Sequence, residues 1–505
     1  MEICSDWRVA KEVEVIIGEG LASELSDEML SLEDFKFLIS CWVHFFSHSA
    51  LYIWFNSSPK RSFSTYNFKN VPSDTGSFLT LCRSETYADY IAKTTYSDQS
   101  ETILNVEKNN QFIKLVPTFG IETVIYKTQF SRLEKILLAV YSMGRIRSVS
   151  SVGTVKRKEV LEDKRQAISE KCQSLLGGFS FAHWLSIRLV EFFPRIYLEE
   201  ISFYQDLYSS RKTRNKVIFS QDCWSSDDKL KLYSVLTRNN QGQVPLRIGA
   251  PHSFNYSCLK NFWFRDYELE YTNVYLSWGW KHKKVIPFYI NHFLGQRRTL
   301  RPFPIPKDFE IVFTSSSGRS HLTEYPYRPE DYDVYINNHI DLACTISRKS
   351  RHRVTLRGRQ RDRGDLLEKL LRRRQVSDIK FEYNEGGFRK RIFGCLHICD
   401  CLSTSIIDSL FINQPTLIIV SGDYFQVNDH SKSDFQQLAE VGIFHNHPGS
   451  LITFLLSKLD NVNDWWCSPE TQHAVSTFLA VHYRSGASLS AWARVLTDAS
   501  VDNTH

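Results

Sequence analysis

The chain has no cysteine framework, no export-type N-terminus, no internal repeat and no low-complexity tract. Its eleven cysteines are odd in number and irregularly spaced, which excludes a disulfide scaffold and fits reduced thiols in a reducing compartment. Met1 to Ala10 carries Glu2, Asp6 and Trp7 in place of a basic-then-apolar pattern, so no signal peptide is expected there. The longest apolar stretch, Phe37 to Phe55, is broken by His44, His48 and several serines, which predicts a buried helix and not a membrane span. Metal-ligand spacing is missing as well. Cys395, His397, Cys399 and Cys401 alternate along an apolar strand with no second ligand cluster, and read as core groups. Asp331 and Asp333 form an Asp-x-Asp pair just after Pro329, where acids commonly open a helix, so no metal is expected there either.

What is present is ordinary soluble-protein material in quantity. Hydrophobic residues make up 42% and charged residues 23% of 505, too long for one ordinary core. Aromatic residues reach 13%, which favours large buried faces and a ligand cleft with stacking surfaces. The net charge of +6 is modest but uneven, with basic residues crowded between Arg348 and Arg374. Such a patch suits phosphate-bearing ligands or an anionic membrane surface; a solvated helix face beside one or two working arginines is the plainer reading. It lacks interleaved aromatics and any nucleic-acid motif, so no nucleic-acid partner is expected.

Residues 1–215 read as largely helical, with three-and-four apolar spacing at Glu14 to Leu30, Asp34 to Phe55, Leu133 to Met143 and Val160 to Leu176. From Lys216 the pattern alternates. Strands are predicted at Val217–Ser220 and Pro245–Gly249, with a helix between them at Asp227–Thr237. Leu300 to Pro306, rich in proline, is the best linker. Alternation then restarts, with strands at Phe309–Ser315, Arg353–Arg357, Ile379–Tyr383, Leu396–Asp400 and Thr416–Val420. The domains expected are a helical region 1–215, a first Rossmann-like unit 216–305, a second at 306–470, and C-terminal helices and tail at 471–505.

The strongest local signal follows the strand at Leu396. It runs into Ser403-Thr404-Ser405, which opens a helix carrying Asp408, and Pro415 starts the next strand. Amides at a helix start plus the macrodipole make an anion site, and three hydroxyls add donors. A plain N-cap explains the same serines and threonine, and spacing does not decide between them.

This block resembles the donor-binding half of GT-B glycosyltransferases. More narrowly, the chain resembles a family of transferases encoded with bacterial O-antigen and surface-carbohydrate synthesis genes. That family's turn usually reads Ser-Thr-Thr followed by Glu, where this chain has Ser405 and Asp408. The likeness extends through Tyr424, Phe435, Leu438, Val441 to His445, Trp465-Trp466, Gln472, Phe478 and Trp492. Upstream it takes in Val354 to Arg357 with Asp362, Glu268, and Val274 to Trp280 with its Trp-Gly-Trp. Phe37 to Phe46 and Val71 to Asp74 match weakly. One loop departs: the family's Gln-His-Gly-Gly, with Tyr-Gly after one more residue, is here Pro251 to Ser257, keeping His252 and Tyr256 but no glycine. Glycines there let a ligand approach the backbone, and Ser253 and Phe254 narrow that approach.

The resemblance implies an α/β, GT-B-like fold of two Rossmann-like doubly wound domains with a largely helical N-terminal region. It implies a cytoplasmic, metal-independent glycosyltransferase of surface-polysaccharide synthesis, with no cofactor. Its partners would be a nucleotide-sugar donor and a glycan or lipid-linked glycan acceptor, with peripheral contact at the inner membrane face. Ser403, Thr404, Ser405, Asp408 and Arg357 would hold the donor; His252, then Glu268, would act as base. Closure of the two halves would supply a dry cleft. Each has a plainer reading: His252 as a loop residue, Arg357 paired with Asp362 or Asp365, Glu268 as a cap or ion pair, and the tryptophans as packing. A non-catalytic glycan- or nucleotide-binding relative is the alternative, motivated by the missing glycines.

Overall fold

A computed structural model describes residues 31–56, 122–149, 159–289 and 304–498, together with a few isolated positions near the start. Within these ranges it leaves out 177–179, 210–214, 316–328, 359–365, 384–386, 421–425 and some single positions. Of the expected helix at Glu14–Leu30 only Val15, Ile17, Gly18 and Leu21 are described, all helical, and the Val71–Asp74 match lies outside the described residues, as do Asp362, Asp365, Cys401 and Tyr424.

The chain divides into two compact units. One comprises 1–250, 267–275 and 489–505, and the other 251–266 and 276–488. There are two six-stranded sheets. The first contains β1 (Thr123–Tyr126), β2 (Ile146–Val149), β3 (Val217–Gln221), β4 (Leu246–Ala250), β5 (Val274–Ser277) and β6 (Val285–Pro287), ordered β2-β1-β3-β4-β5-β6. The second contains β7 (Ile311–Thr314), β8 (Val354–Gly358), β9 (Ile379–Tyr383), β10 (Leu396–Cys399), β11 (Thr416–Ile419) and β12 (Phe444–His445), ordered β12-β11-β10-β7-β8-β9. The pairings from β2 through to β5, and those across the second sheet, are parallel. Both are doubly wound Rossmann-like sheets, the α/β class expected.

These strands form because their side chains are apolar on both faces, as a parallel sheet covered by crossover helices requires. Val217, Ile218 and Phe219 are fully buried, as are Ile311, Val312 and Phe313. At roughly 25 cal/mol per Å² of apolar surface, each such side chain contributes on the order of 2 kcal/mol before entropy is charged. One glycine is fixed by close approach: a Cβ on Gly249 would sit 2.8 Å from the Tyr275 ring.

Two boundaries differ from the sequence reading. Residues 1–215 are not simply helical, because β1 and β2 belong to the first sheet, with β1 between β2 and β3. Four-residue strands leave too short a pattern to distinguish from helix turns. At the other end, the Leu489–Asp498 helix joins the first unit. Leu496 accepts a hydrogen bond from Thr123 Oγ1 at 2.8 Å, and Trp492 packs edge-on against Phe130 at 5.2 Å. The proline-rich passage also ends tied down: Ile305 is buried and exchanges two hydrogen bonds with the Asn463 side chain, at 2.9 and 3.0 Å. The Phe37–Phe55 stretch is part of the helix Leu32–Asn56, and no helix among the described residues is long and apolar enough to cross a membrane.

Candidate functional site

In an open parallel sheet, ligands bind beyond the carboxyl ends of the strands where the winding direction reverses. In the second sheet the chain runs β7, β8, β9 in one direction and then returns to β10 on the other side of β7. The reversal lies between β7 and β10. β10 ends at Cys399, four residues before Ser403, so the Ser403-Thr404-Ser405 turn stands at the switch point of its sheet.

Ser403 caps the Thr404–Phe411 helix with extended backbone, but its side chain makes no capping hydrogen bond. The plain-cap reading of its hydroxyl therefore fails. Instead Ser403 Oγ and Ser405 Oγ lie 2.5 Å apart, and Ser405 Oγ is 3.1 Å from the Cys399 thiol. The first amides of the helix have no acceptor within it, as at any helix start, and all three residues are partly exposed. Thr404 Oγ1 accepts a hydrogen bond from the Phe254 amide at 3.3 Å.

That bond brings the 251–257 loop to the turn within the second unit. The Phe254 ring does not crowd the loop as its bulk suggested. It is fully buried against Phe435, Phe478 and His482, with ring centres 5.8 to 6.4 Å away. His252 is half-buried with its ring edge-on to Tyr256 at 5.2 Å. His252 and Thr404 are thus brought into one neighbourhood.

A buried polar core supports the turn from below. His397 on β10 is fully buried, with Nδ1 2.7 Å from Ser409 Oγ and Nε2 2.9 Å from Thr314 Oγ1. Ser409 donates its hydroxyl to the Ser405 carbonyl at 2.8 Å, so it must accept from a protonated Nδ1. Nε2 then accepts from Thr314, and the ring is neutral. Burial pushes the His397 imidazole down to about 3, opposed by Asp400 and reinforced by Arg357. Asp400, the residue after β10, is buried with its Oδ2 against His339 Nε2. Neither Asp400 nor His339 had a sequence signal, since each lies in a different element.

The other expected site residues are placed elsewhere. Asp408 faces Arg389, at 3.2 Å, and not the turn. Burial pushes its carboxyl up to about 6, against the pull of Arg389. Arg357 is buried and pairs at 2.7 Å with Glu382, its register partner on β9, while Asp362 and Asp365 lie outside the described residues. Glu268 is fully buried on the Trp263–Tyr271 helix and falls in the first unit. Arg389, the partner of Asp408, was missed in the sequence because three basic residues run together at 389–391.

The remaining signals are structural. Trp278, Trp465 and Trp466 are buried, and the Trp465 and Trp466 indoles donate to the carbonyls of Val441 and Asn413 at 2.8 and 3.1 Å. Gly279 adopts φ +130°, and a Cβ there would lie 2.5 Å from the Val481 carbonyl, which explains Trp-Gly-Trp as close packing. In the basic stretch, Arg351 meets Asp460 at 3.0 Å, Arg372 meets Glu368 at 2.5 Å and Arg374 meets Asp341 at 2.5 Å, a solvated face. His397 and Cys399 spend their polar atoms on Thr314, Ser409 and Ser405, as core groups do.

No curated protein matches the chain. Among solved structures it is similar to TarM of S. aureus, at 12% identity and TM-score 0.36 over 59% of this chain and 57% of that one. It is similar to the pneumococcal O-GlcNAc transferase GtfA in complex with UDP and GlcNAc, at 10% identity and TM-score 0.34 over 60% of each chain. A third is UGT2 of Phytolacca americana, at 10% identity and TM-score 0.37, covering 75% of this chain and 99% of that one. The chain spans little more than half the length of TarM, and likenesses this loose add nothing to its own sheet topology. The model of one sequence family, described as LIC12162 family transferase, matches residues 77–496.

Proposed function

The chain belongs to the LIC12162 family of transferases, and on that premise we propose that it moves a sugar from a nucleotide-activated donor to a glycan acceptor. The observation that carries this reading is the Ser403-Thr404-Ser405 helix start at the switch point of the second sheet. Its amides and Thr404 would hold the donor's phosphates, and the positive end of the helix would stabilise the charge left on the departing nucleotide. The turn supplies amides and hydroxyls where Mg²⁺ would call for carboxylates, because Asp408 and Asp400 are engaged by Arg389 and His339. We therefore read the transfer as metal-independent. His252 would take the proton of the acceptor hydroxyl as its oxygen bonds to the sugar carbon and the carbon–oxygen bond to phosphate breaks. Arg357 and Asp408 would set the strand and helix that frame the turn, and Glu268, fully buried, has no contact role in this scheme. The resemblance to surface-carbohydrate proteins makes O-antigen or capsule assembly the setting, with a lipid-linked glycan at the inner membrane face as acceptor.

The test is a thermal-shift screen against CMP-, UDP-, GDP- and dTDP-sugars. At a hundredfold over its dissociation constant, the right donor stabilises the protein by about 2.7 kcal/mol. Thr404→Val and Ser405→Ala should each remove most of that shift; an undiminished shift in both would sink the donor assignment.

A second reading, a glycan- or nucleotide-binding relative without turnover, is favoured by the glycine-free loop whose Phe254 amide already bonds Thr404. Calorimetry beside a donor-hydrolysis assay separates the two, since a binder gives heat and no product.

A further inference from the structure

The helix Arg132–Tyr141 carries the chain from β1 to β2, before it turns back to β3 on the other side of β1, the switch point of the first sheet. A crossover helix ordinarily lays an apolar face on its sheet and shows a polar face to water. Here Ile136 to Tyr141 are six apolar residues without a break, so an apolar face stays uncovered whichever face is buried. Leu138 is the buried one. Leu133, Ile136, Val140, Tyr141 and, just past the helix, Met143 are between 44% and 75% exposed. Leu133, Ile136 and Val140 recur at steps of three and four, so they form one stripe, and Tyr141 borders it. Of the twelve large apolar side chains exposed among the described residues, these are five, gathered in eleven positions. Single exposed apolar residues are normal on any surface; a gathered stripe marks a contact.

Met143 adds to the case. The Gly144 amide donates to the Ala139 carbonyl at 2.8 Å and the Met143 amide to the Val140 carbonyl at 3.0 Å, a helix ending in which glycine ordinarily takes the first position past the cap. Met143 holds that position at φ +52° with its side chain in water. Neither burial nor backbone geometry accounts for a long apolar side chain there.

The charges around the stripe favour one sign. From Glu122 to Val149 the chain carries five basic residues and two acids. Both acids are engaged: Glu122 pairs with Arg145 and Lys216, and Glu134 accepts from the Ser131 amide at 2.6 Å in a capping box. Arg132, ahead of the stripe, and Arg147, beyond it, are exposed.

We propose that this face of the first unit docks on an anionic lipid surface. The stripe enters the boundary between headgroups and acyl chains, while Arg132 and Arg147 meet the headgroup phosphates. Tyr141, an apolar ring with a polar tip, suits that depth. A second copy of the chain fits less well. Cations stand at both ends of the stripe, so a parallel or an antiparallel pairing of two copies sets cation near cation.

The test is co-sedimentation of the full chain with vesicles of phosphatidylcholine and phosphatidylglycerol in equal parts, and with vesicles of phosphatidylcholine alone. The wild type should partition onto the anionic vesicles about tenfold better than onto the neutral ones, and added salt should weaken it. Ile136→Ser combined with Val140→Ser should lower that partition about tenfold. Met143→Gly should lower it about threefold while leaving the melting point unchanged or raised, because glycine suits the turn. Partition of both variants within about twofold of the wild type would overturn the assignment, as would equal partition onto neutral vesicles or none onto either. Light scattering reads the competing occupant: a wild-type dimer that the double variant turns into a monomer would assign the stripe to self-association and overturn the lipid reading. The surface lies in the first unit alone and needs no part of the transfer reading. Vesicle binding with no donor-induced thermal shift leaves it standing, and a donor shift without vesicle binding removes it and keeps the donor site.

Discussion

The two switch points are built from opposite materials. In the first unit the ends of β1 and β3 meet over charged groups, Lys127 and Asp227, with Tyr126 and a helix amide completing the carboxylate's shell. In the second, the ends of β7 and β10 meet beside hydroxyls at Thr314, Ser403, Thr404 and Ser405 and an uncharged His397, with Asp400 buried against His339 just past β10. The proposed anion site is the second, where no carboxylate among the described residues bonds the helix-start amides. An anion does not fit the first, where a carboxylate already takes the cation.

Two aspartates draw the same lesson more sharply. Asp227 and Asp408 have side chains of similar exposure, 11% and 13%, yet their acidities move in opposite directions. Asp227 has three donors at 2.6 to 3.1 Å and is held below the ordinary carboxylate range. Asp408 has Arg389 alone, at 3.2 to 3.4 Å and itself partly desolvated, and burial carries it up to about 6. Burial sets the cost of the charge; the number and closeness of donors decides whether the charge stays.

The largest expected effect separates these aspartates by pH. Asp408 has a folded acidity near 6 against 3.8 unfolded, so its neutral form favours the fold below pH 4 and that contribution is lost as pH rises to about 6. At ~1.4 kcal/mol per unit the swing is on the order of 3 kcal/mol. Asp408→Asn should abolish this slope in urea melts taken at steps from pH 4 to 7. Asp227 contributes in the other sense, with stability present above pH 4 and lost as pH falls below it. If Asp408→Asn steepened the slope, the contrast would be wrong.

Next comes Asp227→Ala, which removes a helix cap and leaves Tyr126 and Lys127 without their acceptor. A loss of about 2 to 3 kcal/mol is expected by chemical denaturation. Its second-unit counterpart, Ser409→Ala, strands His397 Nδ1 in the core and should cost about 1 to 2 kcal/mol. It should also weaken nucleotide binding, since the Ser405 carbonyl loses its donor. An unchanged nucleotide affinity would mean that the core beneath the turn does not position it. The smallest effect is on the basic face: Arg374→Ala breaks exposed contacts to Asp341 and Asn337 and should change stability by less than about 1 kcal/mol. A larger loss would show that the face is more than solvated.

Much of the second sheet was legible because its strands are nearly uniform apolar runs between clear helices. Ile311–Thr314, Ile379–Tyr383, Leu396–Cys399 and Thr416–Ile419 fall within the stretches read as strands, and Val354–Gly358 runs one residue past the stretch Arg353–Arg357. β1 and β2 were not legible, because four residues carry too little period. The Ser403 turn was visible as chemistry, but its position at the reversal of strand order was not. Arg357 shows the limit of local reading: the sheet register supplies Glu382 from the next strand, a partner that no local spacing announces.

Residue order by itself determined the alternation of strand and helix and the hydroxyl-rich helix start. Those follow from local sterics, hydrogen-bonding groups and apolar period, all of which act over a few residues. Only the tertiary structure decided where the two reversals fall, that Phe254 turns inward, that Asp408 belongs to Arg389, and that Lys127 meets an acid a hundred residues away. Strand order is set by long-range pairing, and a charge's state by whatever pairing brings within 3 Å of it.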